Sequence, residues 1–265
     1  MSQRTIIVIP ARMASTRFPG KVLADIHGQP MIAHVYRLAC EANLGPVMVA
    51  CDDFAIVEAV NAVGGMAVMT LSDLPSGSDR VYSALCRIGL ERFFDVIVNV
   101  QADMPMIDPA AIREAVNVLK LKHIDIGTIA APISDDDDYM NDNIVKVLIS
   151  DNNRAPLGYL PGVSHLQPYF SRQLSVRTTR LHRHVGVYAY RQKALAFFAS
   201  LEPTVTEKNQ RLEQLRALEN EMRIGVALVD KAPIAIDAPD DIALLGPEGE
   251  IGTQHYLKSV FFQDQ

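Results

Sequence analysis

The chain has 265 residues, of which 49% are hydrophobic, so it can bury a sizeable core as one α/β domain with or without an added lobe. Its formal net charge of −6 argues against a nucleic-acid or anionic-membrane partner, although a local basic cluster could still bind a small anion. No stretch approaches the roughly 20 apolar residues of a membrane span, and the N-terminus lacks a signal-peptide pattern. We therefore expect a cytoplasmic protein.

The cysteines are three in number and far apart in the sequence, at Cys40, Cys51 and Cys86. Neither a CxxC motif nor a Cys/His zinc spacing is present. Because all three lie in apolar surroundings, the sequence predicts buried, reduced thiols.

The first predicted strand, residues 5–10, is a β-branched apolar run typical of a buried strand in a parallel sheet. The loop after it carries three cations, Arg12, Arg17 and Lys21, and leaves the carboxyl end of the strand, where open α/β sheets bind ligands. This pattern suggests a polyphosphate site, and a solvated basic turn is the alternative. Neither GxxxxGK[ST] nor GxGxxG occurs in the sequence.

The next hundred residues alternate between helical and extended patterns, which predicts a parallel sheet with right-handed crossovers. The third helix begins with capping-box spacing between Ser76 and Asp79. The predicted helices are residues 29–43, 54–63, about 76–92 and 109–122, and the predicted strands are 47–50, 66–70, 94–100 and 126–133.

The second half of the chain is less regular. Residues 135–142 form an acidic loop, and we expect it to be solvated, because successive aspartates in a turn do not converge on one ion. Residues 151–168, rich in Gly, Pro and Asn, suggest a surface excursion. The remaining predictions are strands at 144–150, 185–190 and 226–229, helices at 191–201 and 207–222, and a short final helix after 234–242.

Two aspartates follow apolar runs. Asp103 comes after the strand predicted at 94–100, and Asp237 follows a short Ile-Ala-Ile run. Carboxylates at strand ends suit Mg²⁺, which takes one or two of them and fills its other positions with water and phosphate oxygens. The alternative is that Asp103 is an N-cap or loop aspartate and that Asp237 caps a helix. Asp240 could supply that second cap in place of Asp237. Sequence alone leaves open whether the two acids meet.

A further group of polar residues could recognise an acidic sugar, which needs a cation for its carboxylate and neutral groups for its hydroxyls. A structural role is the ordinary alternative for the histidine, and an exposed helix face is the ordinary explanation for the last two residues. The group is Arg172, His184, Tyr188, Glu213 and Gln214.

Six motifs occur in the order IPARMASTRFPGK, SGSDR, VNVQADMP, RHVGVYAY, LEQLR and IDAPDDI. With them the chain resembles the CMP-Kdo synthetase family (3-deoxy-manno-octulosonate cytidylyltransferases) over about residues 5–245. The resemblance implies a nucleotide-diphospho-sugar transferase fold, which is a Rossmann-like mixed, mostly parallel sheet with a smaller dimerisation lobe. We therefore expect one cytidylyltransferase domain at 1–246, with about 135–200 contributing the lobe, and a peripheral tail at 247–265.

The resemblance also implies the reaction of CTP with Kdo to give CMP-Kdo and pyrophosphate, with Mg²⁺, for lipopolysaccharide biosynthesis in a homodimer. By motif match it implies catalytic roles for Arg12, Lys21, Asp103 and Asp237, with Mg²⁺ on the two aspartates. It further implies a CTP site made by Arg12, Lys21, Ser76, Gly77, Arg80 and Gln101, and a sugar-acid site made by Arg172, His184, Tyr188, Glu213 and Gln214.

The sequence departs from the family pattern at several positions. Ala102 and Met104 stand where the family usually has Gly and Glu. The sugar side differs more, at Asn209, Gln210, Leu174–Ser175 and a longer 154–168 stretch. These changes keep a related ulosonic acid or another acid sugar open as the substrate.

A nucleotide-binding homologue without catalysis is also an alternative. Met104 favours that reading, because a neighbouring acid of the family pattern is lost there. The joint retention of Arg12, Lys21, Asp103 and Asp237 opposes it.

Overall fold

The computed structural model describes residues 3–133, 137–149, 163–164, 168–173, 178 and 180–246. The expectations for Asp135 and Asp136, for most of residues 151–168, for Leu174–Ser175 and for the tail 247–265 lie outside the described residues.

One mixed sheet forms the centre of the molecule, and its innermost strands are the apolar runs of the sequence. Their side chains are excluded from water on both faces, as expected for strands between two helical layers. The strands are β1 (Thr5–Ala11), β2 (Asp25–Ile26), β3 (Gln29–Pro30), β4 (Val47–Cys51), β5 (Met66–Met69), β6 (Val96–Val100), β7 (Ile126–Pro132), β8 (Lys146–Leu148), β9 (Val163–Ser164), β10 (Tyr169–Ser171), β11 (Leu181–Arg191) and β12 (Ile224–Leu228).

The main sheet has the strand order β5-β4-β1-β6-β11-β7-β12-β9, while β2 and β3 form a separate small ladder. Strands β5, β4, β1 and β6 are parallel, as are β7 and β12, whereas β11 lies antiparallel between β6 and β7. The first residues of β11 pair with β7 on one edge and with β8 on the other, and β8 in turn pairs with β10. Because β11 belongs to both ladders, it links the central sheet to this smaller one.

Helices cover both faces of the sheet. The side chains of β1 alternate, with Ile7 and Ile9 in one hydrophobic core and Ile6 and Val8 in the other. Helices α1, α2 and α4 pack on the first core, and α3, α5 and α7 pack on the second. The helices are α1 (Met31–Glu41), α2 (Phe54–Ala62), α3 (Gly77–Arg87), α4 (Pro109–Val118), α5 (Gln192–Ser200), α6 (Val205–Gln210) and α7 (Gln214–Glu219), and 3₁₀ turns occur at Lys21–Leu23, Asp137–Tyr139 and Pro239–Leu245.

The single helix predicted at 207–222 is wrong. Two short helices, α6 and α7, stand in its place, and Arg211 between them has a left-handed backbone with φ of 54°. A non-glycine residue in this region ends an α-helix. On α7, Gln214 and Arg216 are buried, so the alternative of an exposed polar face does not hold for Gln214.

The prediction of three buried thiols is also wrong. The cysteines are free, as expected, but only Cys51 is buried, whereas Cys40 and Cys86 are exposed on α1 and α3. Apolar neighbours in the sequence do not fix which face of a helix a residue occupies. Within the described part of the chain, no helix is both long and apolar enough to cross a membrane.

Candidate active site

Two adjoining cavities of about 980 Å³ and 880 Å³ open along the carboxyl ends of β1 and β6. Both are lined by Arg12, Gln101, Asp103, Arg172 and Asp237, so they form one continuous cleft. Every residue that the sequence predicts for the site lines one cavity or the other. The fold therefore brings the predicted phosphate and sugar residues to one place.

The basic loop after β1 is closed by hydrogen bonds from its own backbone. The Met13 N–H donates to Asp52 Oδ1 over 3.0 Å, and the Gly20 N–H donates to the Met13 carbonyl over 3.0 Å. Gly20 has φ of 71°, a conformation that glycine adopts without steric cost. Arg12 stays exposed and makes no hydrogen bond or ion pair with any described residue, so its guanidinium is available to a ligand.

Arg80, by contrast, is already bound. Its nearly buried guanidinium donates to Thr70 Oγ1 over 2.6 Å and to the Leu71 carbonyl over 2.9 Å, and it lies 3.4 Å from Asp52 Oδ2. Burial lowers the pKa of Arg80, and the charge of Asp52 opposes this effect. Asp52 thus holds both the basic loop and Arg80, a role that was missed in the sequence although Asp52 follows a predicted strand.

Asp103 and Asp237 both lie beside the ammonium group of Lys21, a proximity that the sequence alone left open. Lys21 Nζ lies 2.9 Å from Asp103 Oδ2 and 3.7 Å from Asp237 Oδ1, and it donates to the Ile236 carbonyl over 2.8 Å. Arg17 also pairs with Asp237, at 2.8 Å. Two carboxylates therefore converge on one small volume at the junction of the cavities.

Neither aspartate caps a helix. Asp108 accepts from the Ala110 N–H and caps α4, and Asp241 rather than Asp240 accepts from the N–H groups of Asp237 and Ala238. The carboxylates of Asp103 and Asp237 are thus left for the cleft. The described residues contain no group of three or more His, Cys, Asp or Glu that could hold a metal. The two acids nevertheless fit Mg²⁺, which needs one or two carboxylates when phosphate oxygens and water complete its shell.

Gln101 is held between two glycines. A Cβ on Gly77 would lie 3.0 Å from Gln101 Nε2 and 3.3 Å from Pro10 Cγ, and a Cβ on Gly186 would lie 3.1 Å from Gln101 Cγ. Gly186 lies where the register of β11 against β7 shifts, between Val185 and Tyr188. The irregularity allows the β11 backbone to approach Gln101 closely.

A polar network continues behind Gln101 into the protein. Gln101 Nε2 donates to Asn99 Oδ1 over 3.4 Å, and Asn99 Nδ2 donates to Ser78 Oγ over 3.1 Å. The hydroxyls of Ser78 and Tyr190 lie 2.9 Å apart, and the Ser78 N–H donates to Glu213 Oε2 over 3.0 Å. Burial raises the pKa of Glu213, while hydrogen bonds from neighbouring serines oppose the rise.

His184 faces the other cavity as a neutral ring. Its Nε2 lies 2.9 Å from Thr128 Oγ1, which itself donates to the Val187 carbonyl over 2.7 Å. Since a threonine hydroxyl has only one hydrogen to donate, His184 Nε2 carries the proton that joins these two residues. Burial lowers the pKa of His184 to about 3, with the Arg172 charge acting in the same direction.

Tyr188 and Gln214 form a pair beside His184. The Tyr188 hydroxyl donates to Gln214 Oε1 over 3.1 Å, and burial raises the pKa of Tyr188. Gln214 is only 3% exposed, and its Nε2 has no hydrogen-bond partner in the described structure. A buried donor without a partner is costly, so this amide is poised for an acceptor on a ligand.

Arg172 is anchored by backbone carbonyls. Its Nε donates to Gln210 over 3.2 Å, and its Nη1 donates to Asp142 over 3.2 Å and to Asn143 over 3.0 Å. Burial lowers the pKa of Arg172, and the attraction of Asp237 opposes the shift. The guanidinium is therefore fixed in the wall between the cavities.

Arg216 is a structural residue that sequence reasoning missed. It is fully buried and donates to both Asp79 oxygens, each at 3.0 Å, and to both Glu207 oxygens at 2.6 and 2.8 Å. Asp79 also accepts the Ser76 hydroxyl at the start of α3. The only available signal was its place in the LEQLR motif, since the hydrophobic pattern does not mark a buried arginine.

Comparison with known proteins identifies the family. The family described as "Cytidylyltransferase" matches residues 6–224. The chain belongs to this cytidylyltransferase family. Membership makes it a nucleotidyltransferase, as predicted.

Curated relatives of this cytidylyltransferase extend over nearly all of its length. It is 47% identical over 239 residues to a 3-deoxy-manno-octulosonate cytidylyltransferase of Paramagnetospirillum magneticum, covering 89% of this chain and 94% of the relative. It is also 47% identical over 248 residues to the protein of that name from Rhodospirillum rubrum, covering 91% and 95%. The resemblance found in the motifs is thereby confirmed.

A solved relative gives the same result for the fold. The structure of CMP:2-keto-3-deoxy-manno-octonic acid synthetase complexed with CTP matches with a TM-score of 0.77 at 32% identity, covering 91% of this chain and 96% of that one. The mixed, mostly parallel sheet of the cytidylyltransferase is therefore the predicted nucleotide-diphospho-sugar transferase fold.

Proposed function

We propose that this cytidylyltransferase activates Kdo with CTP, giving CMP-Kdo and pyrophosphate. The observation that carries the proposal is the single cleft, in which both cavities share Asp103 and Asp237. Its cationic end is lined by Lys21 and the basic loop, and its sugar end by His184, Tyr188 and Gln214 beside Arg172. The names and near-complete coverage of its relatives support the same reaction. A cytoplasmic homodimer in lipopolysaccharide biosynthesis is a further proposal, which rests on the family resemblance alone.

The cationic end suits a nucleoside triphosphate. Arg12 makes no hydrogen bond or ion pair with any described residue, and Lys21, at the end of the same loop, lies beside the two acids. Together with the loop N–H groups they would bind the phosphates and offset the charge on the departing pyrophosphate. Ser76, Gly77, Gln101 and the bound Arg80 would form the wall against the nucleoside.

Asp103 and Asp237 would hold Mg²⁺, which when bound would supply Lewis-acid polarisation of the phosphate and a lower pKa for the attacking hydroxyl. Before CTP binds, Lys21 balances the two carboxylates. We propose that Lys21 turns toward the phosphates when the nucleotide is in place.

The sugar end would orient the sugar acid. Arg172 would pair with its carboxylate, and the unpaired Gln214 Nε2 would donate to one of its hydroxyls. His184, with a pKa of about 3, is uncharged at neutral pH and would position the sugar instead of transferring a proton. The reaction is then an in-line displacement at the α-phosphorus, in which positioning and charge stabilisation provide the catalysis.

The proposal is tested by pyrophosphate release from CTP with Mg²⁺ and Kdo. We expect CTP-dependent release with Kdo and none with UTP or without sugar. The absence of release with Kdo, in a protein that binds CTP, would contradict the proposed reaction.

A second candidate is the activation of another acid sugar. Asn209 and Gln210 favour it, because both depart from the family pattern and line the cleft, where the Gln210 carbonyl accepts from Arg172. The same assay with a panel of ulosonic acids separates the two: a higher kcat/KM for another acid than for Kdo would favour the second candidate. Tight CTP binding with no release from any acid would favour the non-catalytic homologue.

A further inference from the structure

Lys146 lies on β8 behind the sugar-side cavity, and neither the motifs nor the mechanism above gives it a role. The residue is fully buried, and its strand pairs with Ser171 on one side and Arg183 on the other. Its Nζ donates to the Asn141 carbonyl over 2.6 Å and to the Arg172 carbonyl over 2.9 Å. It forms no ion pair with any carboxylate that the structure describes.

A buried ammonium without a carboxylate partner is costly, so its retention calls for a compensating interaction. Burial lowers the pKa of Lys146, and the more distant charges of Asp142 and Asp138 oppose this. Two carbonyl oxygens provide only partial compensation, because each is a dipole and not a charge.

The loop 141–143 binds two such cations at once. The Asn141 carbonyl accepts from Lys146, and the carbonyls of Asp142 and Asn143 accept from the Arg172 guanidinium. Lys146 therefore holds Arg172 at its main chain, and the same loop holds it at its side chain. Arg172 is likewise without an ion pair to a described carboxylate, and Asp237, whose charge attracts it most, is already paired with Arg17.

We infer that Lys146 is a positioning residue for the sugar acid, which fixes Arg172 and adds a second buried positive charge behind it. This inference rests on the proposed function and extends it to a residue that does not line the cleft. The ligand's carboxylate would bring a negative charge to the site that attracts both cations. Lys146 would thus favour acidic over neutral sugars without touching the substrate.

The test compares Lys146→Met and Lys146→Gln with the wild-type enzyme and with Lys193→Met, the same substitution at an exposed position on α5. Methionine keeps the volume of the lysine stem and removes the charge and its hydrogen bonds, while glutamine keeps a hydrogen-bond donor. KM for Kdo and KM for CTP are measured separately, and thermal denaturation reports folding.

We expect Lys146→Met to raise KM for Kdo about tenfold or more while KM for CTP changes less than about twofold. If charge dominates, KM for Kdo in Lys146→Gln should be close to that in Lys146→Met. Both KM values of Lys193→Met should match those of the wild type. A KM for Kdo that stays at the wild-type value in both Lys146 variants would overturn the inference.

A purely structural role gives a different pattern, in which both KM values rise together with a loss of stability; that result, or failure of both variants to fold, would also overturn the inference. If the wild type turns over Kdo and only the Lys146 effect is missing, the inference fails and the proposed function stands. If the wild type neither releases pyrophosphate with any ulosonic acid nor binds one by calorimetry, both fail.

Discussion

Lys21 Nζ lies 2.9 Å from Asp103 Oδ2, although 82 positions of sequence separate the two residues. The same ammonium reaches Asp237 at 3.7 Å, so a side-chain cation sits between the two acids that we propose for Mg²⁺. The carboxylates are thus kept close together before any metal arrives. This arrangement makes Asp103 the sharpest place to test the site.

Asp103→Asn should lower kcat/KM by at least about 100-fold while leaving the fold intact, because the amide keeps the shape of the side chain but loses its charge for the metal and for Lys21. Steady-state pyrophosphate release and circular dichroism would measure the two effects. Asp230→Asn, at an exposed position, is the matched control. Near-normal turnover of Asp103→Asn would remove the metal assignment.

Arg12→Ala should raise KM for CTP by about tenfold with little change in the free energy of unfolding. The reason is that Arg12 is exposed and contacts no described residue by hydrogen bond or ion pair, so the folded protein loses nothing without it, whereas a phosphate loses a charged donor. Kinetics and urea denaturation measure the two quantities. A stability loss above about 1 kcal/mol would mean that Arg12 has a structural partner.

Arg216→Met should destabilise the protein by about 3–5 kcal/mol, because it leaves Asp79 and Glu207 buried and unpaired. Urea unfolding measures the loss. Arg37→Met is the control: its ion pair with Glu41 is exposed, and we expect a change of about 0.5 kcal/mol or less. Equal effects of the two substitutions would show that the buried charges find other partners.

His184 should make stability depend on pH below neutrality. Its pKa is about 3 in the folded protein and about 6.5 in the unfolded chain, so the unfolded state binds more protons between these values. The neutral His184 therefore stabilises the folded protein fully above about pH 6.5. As the pH falls below about 6.5, the free energy of unfolding decreases by about 1.4 kcal/mol per pH unit.

Thermal melts of His184→Gln between pH 4 and 7 should show a flatter pH dependence than the wild type, because glutamine can still donate to Thr128 but does not titrate. An unchanged slope in His184→Gln would contradict the neutral, buried imidazole.

The sequence predicted most of the sheet because its central strands are apolar on both faces, and that pattern does not depend on distant contacts. Helix ends were less accurate: α3 ends at Arg87 rather than near Arg92. The predicted 207–222 helix failed at Arg211, whose left-handed backbone has no local sequence signal of the kind that glycine provides.

The candidate site, like the fold, was predicted only in part from the sequence. The motifs selected residues that the fold does bring together, including Asp103 and Asp237. They did not reveal that Arg80 is already bound to Asp52, that Arg17 pairs with Asp237, or that Arg216 joins Asp79 to Glu207. Most of these pairings join residues far apart in the chain, and one sequence contains no direct record of such pairs.

Arg216 joins the start of α3 to α6 through one side chain, since Asp79 lies on α3 near Ser76 and Glu207 lies on α6. A chimaera that takes α6 and α7 from a relative with another sugar preference would bring its own Glu207 and Arg216 equivalents. It would still depend on the Asp79 of the recipient. Exchange of α6 and α7 together should therefore transfer sugar preference only between parents that both have the equivalents of Asp79, Glu207 and Arg216.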